Sequence, residues 1–306
     1  MSRDVKDYII IGLKGMAMGA ADVVPGVSGG TIAFISGIYE ELLGSISNVN
    51  LDLFKTLKND GFKVAWKQLN GNFLLSLFVG IFISIISLAQ GIKYLLENEP
   101  ILLWSFFFGL VLASVIYIAK QISKWNFIAV LVLVLGVFSA YYITTLNPLV
   151  SENSSLLFMF LAGAIAICAM ILPGISGAFI MVLLGAYKPI LSAVTDRDYK
   201  TVAVVFLGAI VGLLSFSKIL KWLFANYKNY TLAVLTGFII GSLNKIWPWK
   251  ETLTWRTNSH GIKVAFNQQS VTPFSFEGDA QLTMAIVLLV VGFLLILMME
   301  KLAVKK

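Results

Sequence analysis

The sequence predicts an all-α polytopic membrane protein built from two inverted-topology repeats, each a re-entrant helix hairpin broken at Pro-Gly plus three transmembrane helices. Three observations predict it. The 306 residues are 58% hydrophobic and only 13% charged, with a mean hydropathy of +0.87, and apolar runs of roughly twenty residues, enough to cross a bilayer, recur throughout. A Pro-Gly break interrupts two of those runs, at Pro25-Gly26 and at Pro173-Gly174. The series of segments after the first break then starts again after the second.

The first repeat, 1–146, opens with a hairpin over 8–47, apolar over 8–24 and 29–47 on either side of the break. Helices follow over 72–96, 100–119 and 126–146. The second repeat, 147–306, restarts with a hairpin over 156–194, then helices over 201–225, 230–246 and 281–300, with an outer loop at 247–280. Gly80, Ser84, Ser87, Lys93, Gly109 and Ser114 reappear as Gly208, Gly212, Ser215, Lys221, Gly237 and Ser242 at one offset, 208 − 80 = 128. The break recurs at a larger offset, 173 − 25 = 148, because a longer loop at 48–70 lies in the first half. Small residues four apart, such as Gly80/Ser84 and Gly237/Gly241, let helices approach closely in lipid.

Loop charge decides the geometry of the hairpins. With a cytoplasmic N-terminus and re-entrant breaks, the cytoplasmic segments hold Arg3 and Lys6; Lys55, Lys58, Lys63 and Lys67; Lys120 and Lys124; Lys221 and Lys228; and Lys301, Lys305 and Lys306. The outer loops hold Glu97, Glu99 and Glu152, then Arg197 and Lys200 offset by Asp196 and Asp198. Breaks that crossed fully would put the four-lysine segment outside, against the positive-inside rule. Re-entry inverts the second half relative to the first, and both termini are then expected in the cytoplasm.

The net charge of +7 therefore reads as topology signalling and not as nucleic-acid binding. The single Cys168 excludes an intrachain disulfide and a multi-cysteine metal site. It reads as a small packed side chain, and the single His260 falls in a polar loop. No metal or cofactor is expected. Arg3 and Lys6 before an apolar run imitate a signal peptide, but Lys14 interrupts the run, so no cleavage is expected. Lys93 and Lys221 are expected to snorkel. In the outer loop, Ile262, Val264 and Phe266 alternate as in a surface hairpin, and Trp247, Trp249, Trp255, Phe274 and Phe276 read as interfacial anchors.

The breaks carry the chemistry. Unpaired backbone is costly in hydrocarbon, so a break at that depth is buried in protein or lines a wet cavity. Two such breaks in corresponding positions point to a transport site. Ser28 is a suitable N-cap with Gly29, Gly30 and Thr31 as its first turn, and Ser176 stands likewise before Gly177. Fresh helix starts offer unpaired N–H groups and positive dipole ends to an anion. The expected anion contacts are Ser28, Gly29, Gly30, Thr31, Ser176 and Gly177. Lys14 either faces the cavity and attracts the anion or snorkels. Asp22 either takes a coupling proton or caps the break, and Met170 holds its place in the second half. Glu40 and Lys188, which follow the repeated pairs Gly37/Tyr39 and Gly185/Tyr187, either pair across the pseudo-symmetry axis or sit at the interface.

Gly26-Val27-Ser28-Gly29-Gly30 also matches the G-x-S-x-G nucleophile pattern. A serine nucleophile needs a base, and the second copy repeats the serine without any histidine, so no catalytic residue is expected. A transporter of a small soluble anion and an intramembrane hydrolase using Ser28 stand as the alternative readings.

Met18-Gly-Ala-Ala-Asp22-Val-Val-Pro25-Gly-Val-Ser-Gly-Gly-Thr31, followed by Gly37-Ile-Tyr39-Glu40, resembles the signature of the bacterial polyprenyl-phosphate transporter family, formerly a domain family of unknown function. The Leu172–Gly177 copy and Trp247-Pro248-Trp249 fit the same pattern, so the likeness covers essentially the whole chain. It implies a flippase in the bacterial cytoplasmic membrane returning undecaprenyl phosphate from the outer to the inner leaflet for cell-wall synthesis, with a proton or sodium gradient as a candidate drive. Its partners would be that lipid and the surrounding membrane lipids. The second copy departs from the first at Met170, Ala178 and Phe179.

Overall fold

Residues 3–24, 27–146, 155–257 and 263–304 are described by the computed structural model. Pro25, Gly26 and His260 lie outside them.

Helix α1 (Val5–Val23) starts at Asp4, whose carboxylate accepts from the Asp7 N–H while Asp7 reciprocates, a capping box. Beyond the first break, α2 (Gly29–Ile35) is followed by a turn at Gly37 and by α3 (Tyr39–Ser47). The 29–47 segment is thus two helices and not one. Gly37 has φ +73° and so does its counterpart Gly185, a left-handed conformation that glycine adopts without steric cost. The glycine of each Gly-x-Tyr pair is therefore the corner of its hairpin.

The 48–70 loop is also helical. Helices α4 (Leu51–Asn59) and α5 (Phe62–Gln68) carry their lysines beside exposed Leu51, Phe54 and Phe62. Three long helices follow: α6 (Gly71–Asn98), α7 (Pro100–Ala119) and α8 (Phe127–Thr145). At 1.5 Å per residue the 20-residue α7 is about 30 Å long, the thickness of a hydrocarbon core.

After residue 155 the chain forms α9 (Leu156–Ile171), α10 (Gly177–Leu183) and α11 (Tyr187–Thr195). The last two are bent by 103° about the Gly185 turn. Helix α12 (Tyr199–Ser242) covers the two segments expected as helices over 201–225 and 230–246. It kinks at Tyr227, where φ −134° and ψ 41° leave the helical region, so its two arms are distinct rods. A 3-10 turn (Leu243–Ile246), strands β1 (Lys250–Thr257) and β2 (Lys263–Ser270) in an antiparallel hairpin, and α13 (Leu282–Val304) complete the chain. Among the described residues four helices are long and apolar enough to cross a membrane, five if the bent pair counts as one span. The protein is an all-α multi-pass membrane protein with one small β-hairpin.

Four helix pairs make the frame: α1 with α6, α9 with the first arm of α12, α7 with α13, and α8 with the second arm of α12. Each pair meets through glycine. A Cβ at Gly80 would strike the Gly12 carbonyl, and one at Gly15 the Leu77 carbonyl. In the second half Gly208 meets Phe160, and Gly163 meets Val205, in the same way. Gly109 and Gly292 sit against Leu289 and Phe106, while Gly237 and Gly136 sit against Leu133 and Val234. Without a hydrophobic drive between helices in lipid, such close backbone packing is a principal source of association.

The β-hairpin packs at one end of this frame. Trp249 is buried beside Ile101 and Ala285, and the Trp247 indole donates to the Val271 carbonyl at 2.8 Å. Trp249 is thus a packing residue and Trp247 is partly buried, whereas Trp255 and Phe274 are exposed. The opposite end carries α4 and α5, the α7–α8 turn and the α12 kink, where Ser123 donates to Asn229. Cys168 is half-buried, its Sγ 3.6 Å from the Gly212 carbonyl.

Candidate functional site

The two breaks touch. Thr31 Oγ1 accepts from the Gly174 N–H at 2.9 Å. Ser28 directs its hydroxyl to the Met170 and Leu172 carbonyls at 3.2 and 3.4 Å, and the Tyr39 hydroxyl reaches the Ile171 carbonyl at 3.2 Å. The last carbonyls of a helix have no partner within it. Those ending α9 are taken up by side chains of the first break, more than a hundred residues earlier in the chain.

The start of α2 is sealed. The Asp22 carboxylate accepts from the Gly29 N–H at 2.7 Å, and Ser28 Oγ from the Gly30 N–H at 3.1 Å. Asp22 is therefore a cap in this structure, and Ser28, Gly29, Gly30 and Thr31 are all buried. Close approach leaves little room at either glycine, against a side chain at Gly29 and against backbone at Gly30. A Cβ at Gly29 would lie 2.5 Å from an Asp22 oxygen, and one at Gly30 would lie 2.6 Å from the Ile171 carbonyl oxygen.

Lys14 is not part of this cluster. Its ammonium donates to the Ser36 carbonyl at 2.6 Å, at the far end of α2. Seven residues, about 10 Å of helix, separate that end from Ser28. There it meets the negative end of the helix dipole. Nearby, Arg3 grips Glu41 through two hydrogen bonds of 2.5 and 2.6 Å, and Asn70 donates to the same carboxylate.

The second break is more open. Ser176 caps α10 by accepting from the Phe179 N–H, with a long 3.4 Å bond, and is only partly buried. Pro173 and Gly174 are buried, Gly174 with φ +85°. Gly174, Ser176, Thr144 and Lys245 line one small cleft. The Lys245 ammonium stands 4.5 Å from the centre of the Phe179 ring, and among the described residues it has no carboxylate partner. Gly177 is buried against the Ala166 carbonyl. Lys250 lies next to this site: its ammonium donates to the Lys245 carbonyl at 2.5 Å and stands 4.4 Å over the Trp104 ring. Burial, and behind it the charge of Lys245, pushes Lys250 down to about 7.

Lys245 escaped the sequence reading because it follows a helix end where a lysine usually snorkels. The remaining charges also pair differently from expectation. Glu40 binds Lys228 at 2.7 Å, while Lys188 is exposed. Lys221 donates to Ser47 Oγ at 3.0 Å. No group of three or more potential metal ligands occurs among the described residues.

A frame of spanning helices around two helix breaks that meet defines the class of a multi-pass membrane protein. Comparison with known proteins gives the family. A family profile described as VCA0040-like, undecaprenyl phosphate translocase-like, matches residues 18–264. A polyprenyl-phosphate transporter of Vibrio cholerae is 48% identical over 309 aligned positions, covering all of both chains. Another of Staphylococcus aureus is 32% identical over 77% of this chain and 85% of its own length. No solved structure matches the chain. The chain belongs to the undecaprenyl phosphate translocase-like family, and it is a transporter and not an enzyme.

Proposed function

We propose that this protein carries undecaprenyl phosphate, or a closely related polyprenyl phosphate, from the outer to the inner leaflet of a bacterial cytoplasmic membrane for reuse in envelope synthesis. The family and the names of both relatives support the lipid substrate. The single structural observation that carries the site is the crevice at the second break, about 10 Å³ and so the size of one water until it opens, where partly buried Ser176 stands with Lys245, which has no carboxylate partner among the described residues.

The reading takes the chain as two inverted repeats, 1–146 and 147–306, with both breaks re-entrant and both termini cytoplasmic. Glycine contacts support the repeat. Gly80–Gly12 and Gly15–Leu77 correspond to Gly208–Phe160 and Gly163–Val205 at the offsets of 128 and 148 read from the sequence. Re-entry of the first hairpin is supported by the Arg3–Glu41 and Asn70–Glu41 contacts, which join the start of α1, the start of α3 and the start of α6 at one end. The four lysines of α4 and α5 favour the cytoplasm for that end, and the β-hairpin end is then outside.

In this reading the headgroup enters from outside at Ser176, Gly177 and Lys245. The first break is the second stage. There the Asp22 carboxylate occupies the N–H group of Gly29 that a phosphate would use, so substrate and Asp22 compete for it. A proton on Asp22 removes its charge and weakens its claim on that N–H, which opens Ser28, Gly29, Gly30 and Thr31 to the phosphate. This makes Asp22 the coupling residue, with a proton gradient as drive. Lys14, held at the far end of α2, steadies that short helix.

Reconstitution into liposomes, with a reagent that reports outer-leaflet polyprenyl phosphate, tests the function. Protein-dependent loss of exposure is the expected result; no translocation under any imposed proton or sodium gradient sinks it. Asp22→Asn keeps an acceptor for Gly29 and should flatten the pH dependence of transport. An unchanged pH profile would restrict Asp22 to capping.

A further inference from the structure

A second cleft, of about 410 Å³, lies at the opposite end of the frame from Lys245. It falls within the roughly 300–1,000 Å³ range of small-ligand pockets. Its walls are the α3–α4 turn (Ser47, Asn48, Asn50) and the first arm of α12 (Lys218, Lys221, Trp222). No aspartate or glutamate lines it. The nearest acids of that end are already engaged: Glu40 with Lys228, Glu41 with Arg3, and Asp52 with Lys55.

Lys218 and Lys221 lie three residues apart, on one face of α12. Lys218 is nine residues before the kink at Tyr227, about 14 Å back along the helix. Exposed Ile219 and Trp222 flank it on the outer surface of a membrane-spanning rod. Both lysines are exposed toward the cytoplasmic end of that rod, where a long stem carries the ammonium to the interface and leaves it open to an anion. Among the described residues Lys218 has no hydrogen-bonding or acidic partner. Lys221 donates once, to Ser47, which leaves two of its three N–H bonds. Asn50 spends its carbonyl oxygen capping α4, so its amide nitrogen stays available to donate.

We propose that this cleft binds the phosphate of a phosphorylated lipid, as a discharge site at the inner leaflet. The inference rests on the transport reading above. Two lysines and an amide without a carboxylate match a phosphomonoester, which carries close to two negative charges at neutral pH, better than a phosphodiester with one. Exposed Trp222 and Ile219 beside the cleft leave a side path for a hydrocarbon chain to stay in the bilayer. A headgroup released from the first break would meet these lysines at the cytoplasmic end, where the α3–α4 turn begins the basic α4–α5 segment.

The test is equilibrium binding to the full-length protein in detergent, read by native mass spectrometry, with undecaprenyl phosphate and phosphatidylglycerol as separate probes. The wild-type protein should hold one undecaprenyl phosphate at this cleft and one at Lys245, and replacing both lysines (Lys218→Gln with Lys221→Gln) should weaken the binding event at the cleft by about tenfold or more, read as loss of one of the two bound lipids. The charge-retaining pair Lys218→Arg with Lys221→Arg should restore it, which separates lost charge from a damaged fold. Undiminished binding in the glutamine pair overturns the inference while leaving transport by the wild-type protein intact. If the glutamine pair loses phosphatidylglycerol and undecaprenyl phosphate equally, the cleft is a general anionic-lipid seat and the discharge role falls. A wild-type protein that binds through these lysines yet moves nothing in liposomes overturns the transport reading instead.

Discussion

The two Pro-Gly breaks share a backbone plan and differ in what closes them. At the first, Asp22, Ser28 and Thr31 supply every contact from within the protein, and Tyr39 bolts the hairpin to the end of α9. At the second, Met170 stands where Asp22 would be, Phe179 where Thr31 would be, and Tyr187 is exposed where Tyr39 is buried. Among the described residues the only side-chain cap of α10 is the long bond that Ser176 Oγ accepts from the Phe179 N–H, and a lysine lines the same crevice. A repeated motif thus fixes where a helix restarts. Its side chains decide whether that restart is a lock or a port.

That contrast can be broken by substitution. The largest effect is expected at Gly30. Gly30→Val would drive a side chain into the Ile171 carbonyl, at a site where even a Cβ is too close, costing about 1–3 kcal/mol or more. Ala178→Val, at the exposed counterpart position, should change the melting temperature little. Similar losses at both positions would mean that the breaks are equally tight.

Next in size is Lys245→Gln. Loss of one charge-assisted contact should reduce polyprenyl phosphate binding about tenfold, while Lys14→Gln should leave that binding nearly unchanged. The opposite order in a binding titration would return the anion site to the first break. A smaller effect is expected from Tyr39→Phe. Removing its hydroxyl from the buried Ile171 contact should cost about 1 kcal/mol of stability, whereas Tyr187→Phe should cost nothing measurable in thermal unfolding.

The mildest prediction concerns pH. Lys250 titrates near 7 in the folded protein against an ordinary 10.5. Between those values the unfolded chain holds a proton that the folded chain has released, so stability rises with pH through that window. Below about 7 both states are protonated and the dependence from this residue vanishes. Lys250→Met should remove the rise, and an unaltered pH profile of unfolding would show that the Trp104 face and the Lys245 carbonyl keep the ammonium charged.

Several features were legible before any coordinates because lipid is an unforgiving solvent. Apolar runs of span length announced a multi-pass helical protein, and the long Asp22–Thr31 signature pointed to the family. The alternation at 262–266 signalled a hairpin in an otherwise helical chain. Other features escaped for physical reasons. Helices α4 and α5 are short and polar on one side, so their 48–70 segment read as a loop. Glu40 chose Lys228 over Lys188 because the pairing depends on which helix ends meet, and sequence spacing carries no such information.

The deepest difference concerns the glycine pair. From sequence, Gly29 and Gly30 looked like bare backbone awaiting an anion. In the fold Gly29 makes room for Asp22 and Gly30 for the end of α9. Sequence alone determined that the chain spans a membrane and where its helices must break, because hydrocarbon penalises charge and unpaired backbone locally. Only the tertiary structure decided which groups satisfy those breaks, because Asp22 is seven residues from its partner and Thr31 is 143 residues from its own.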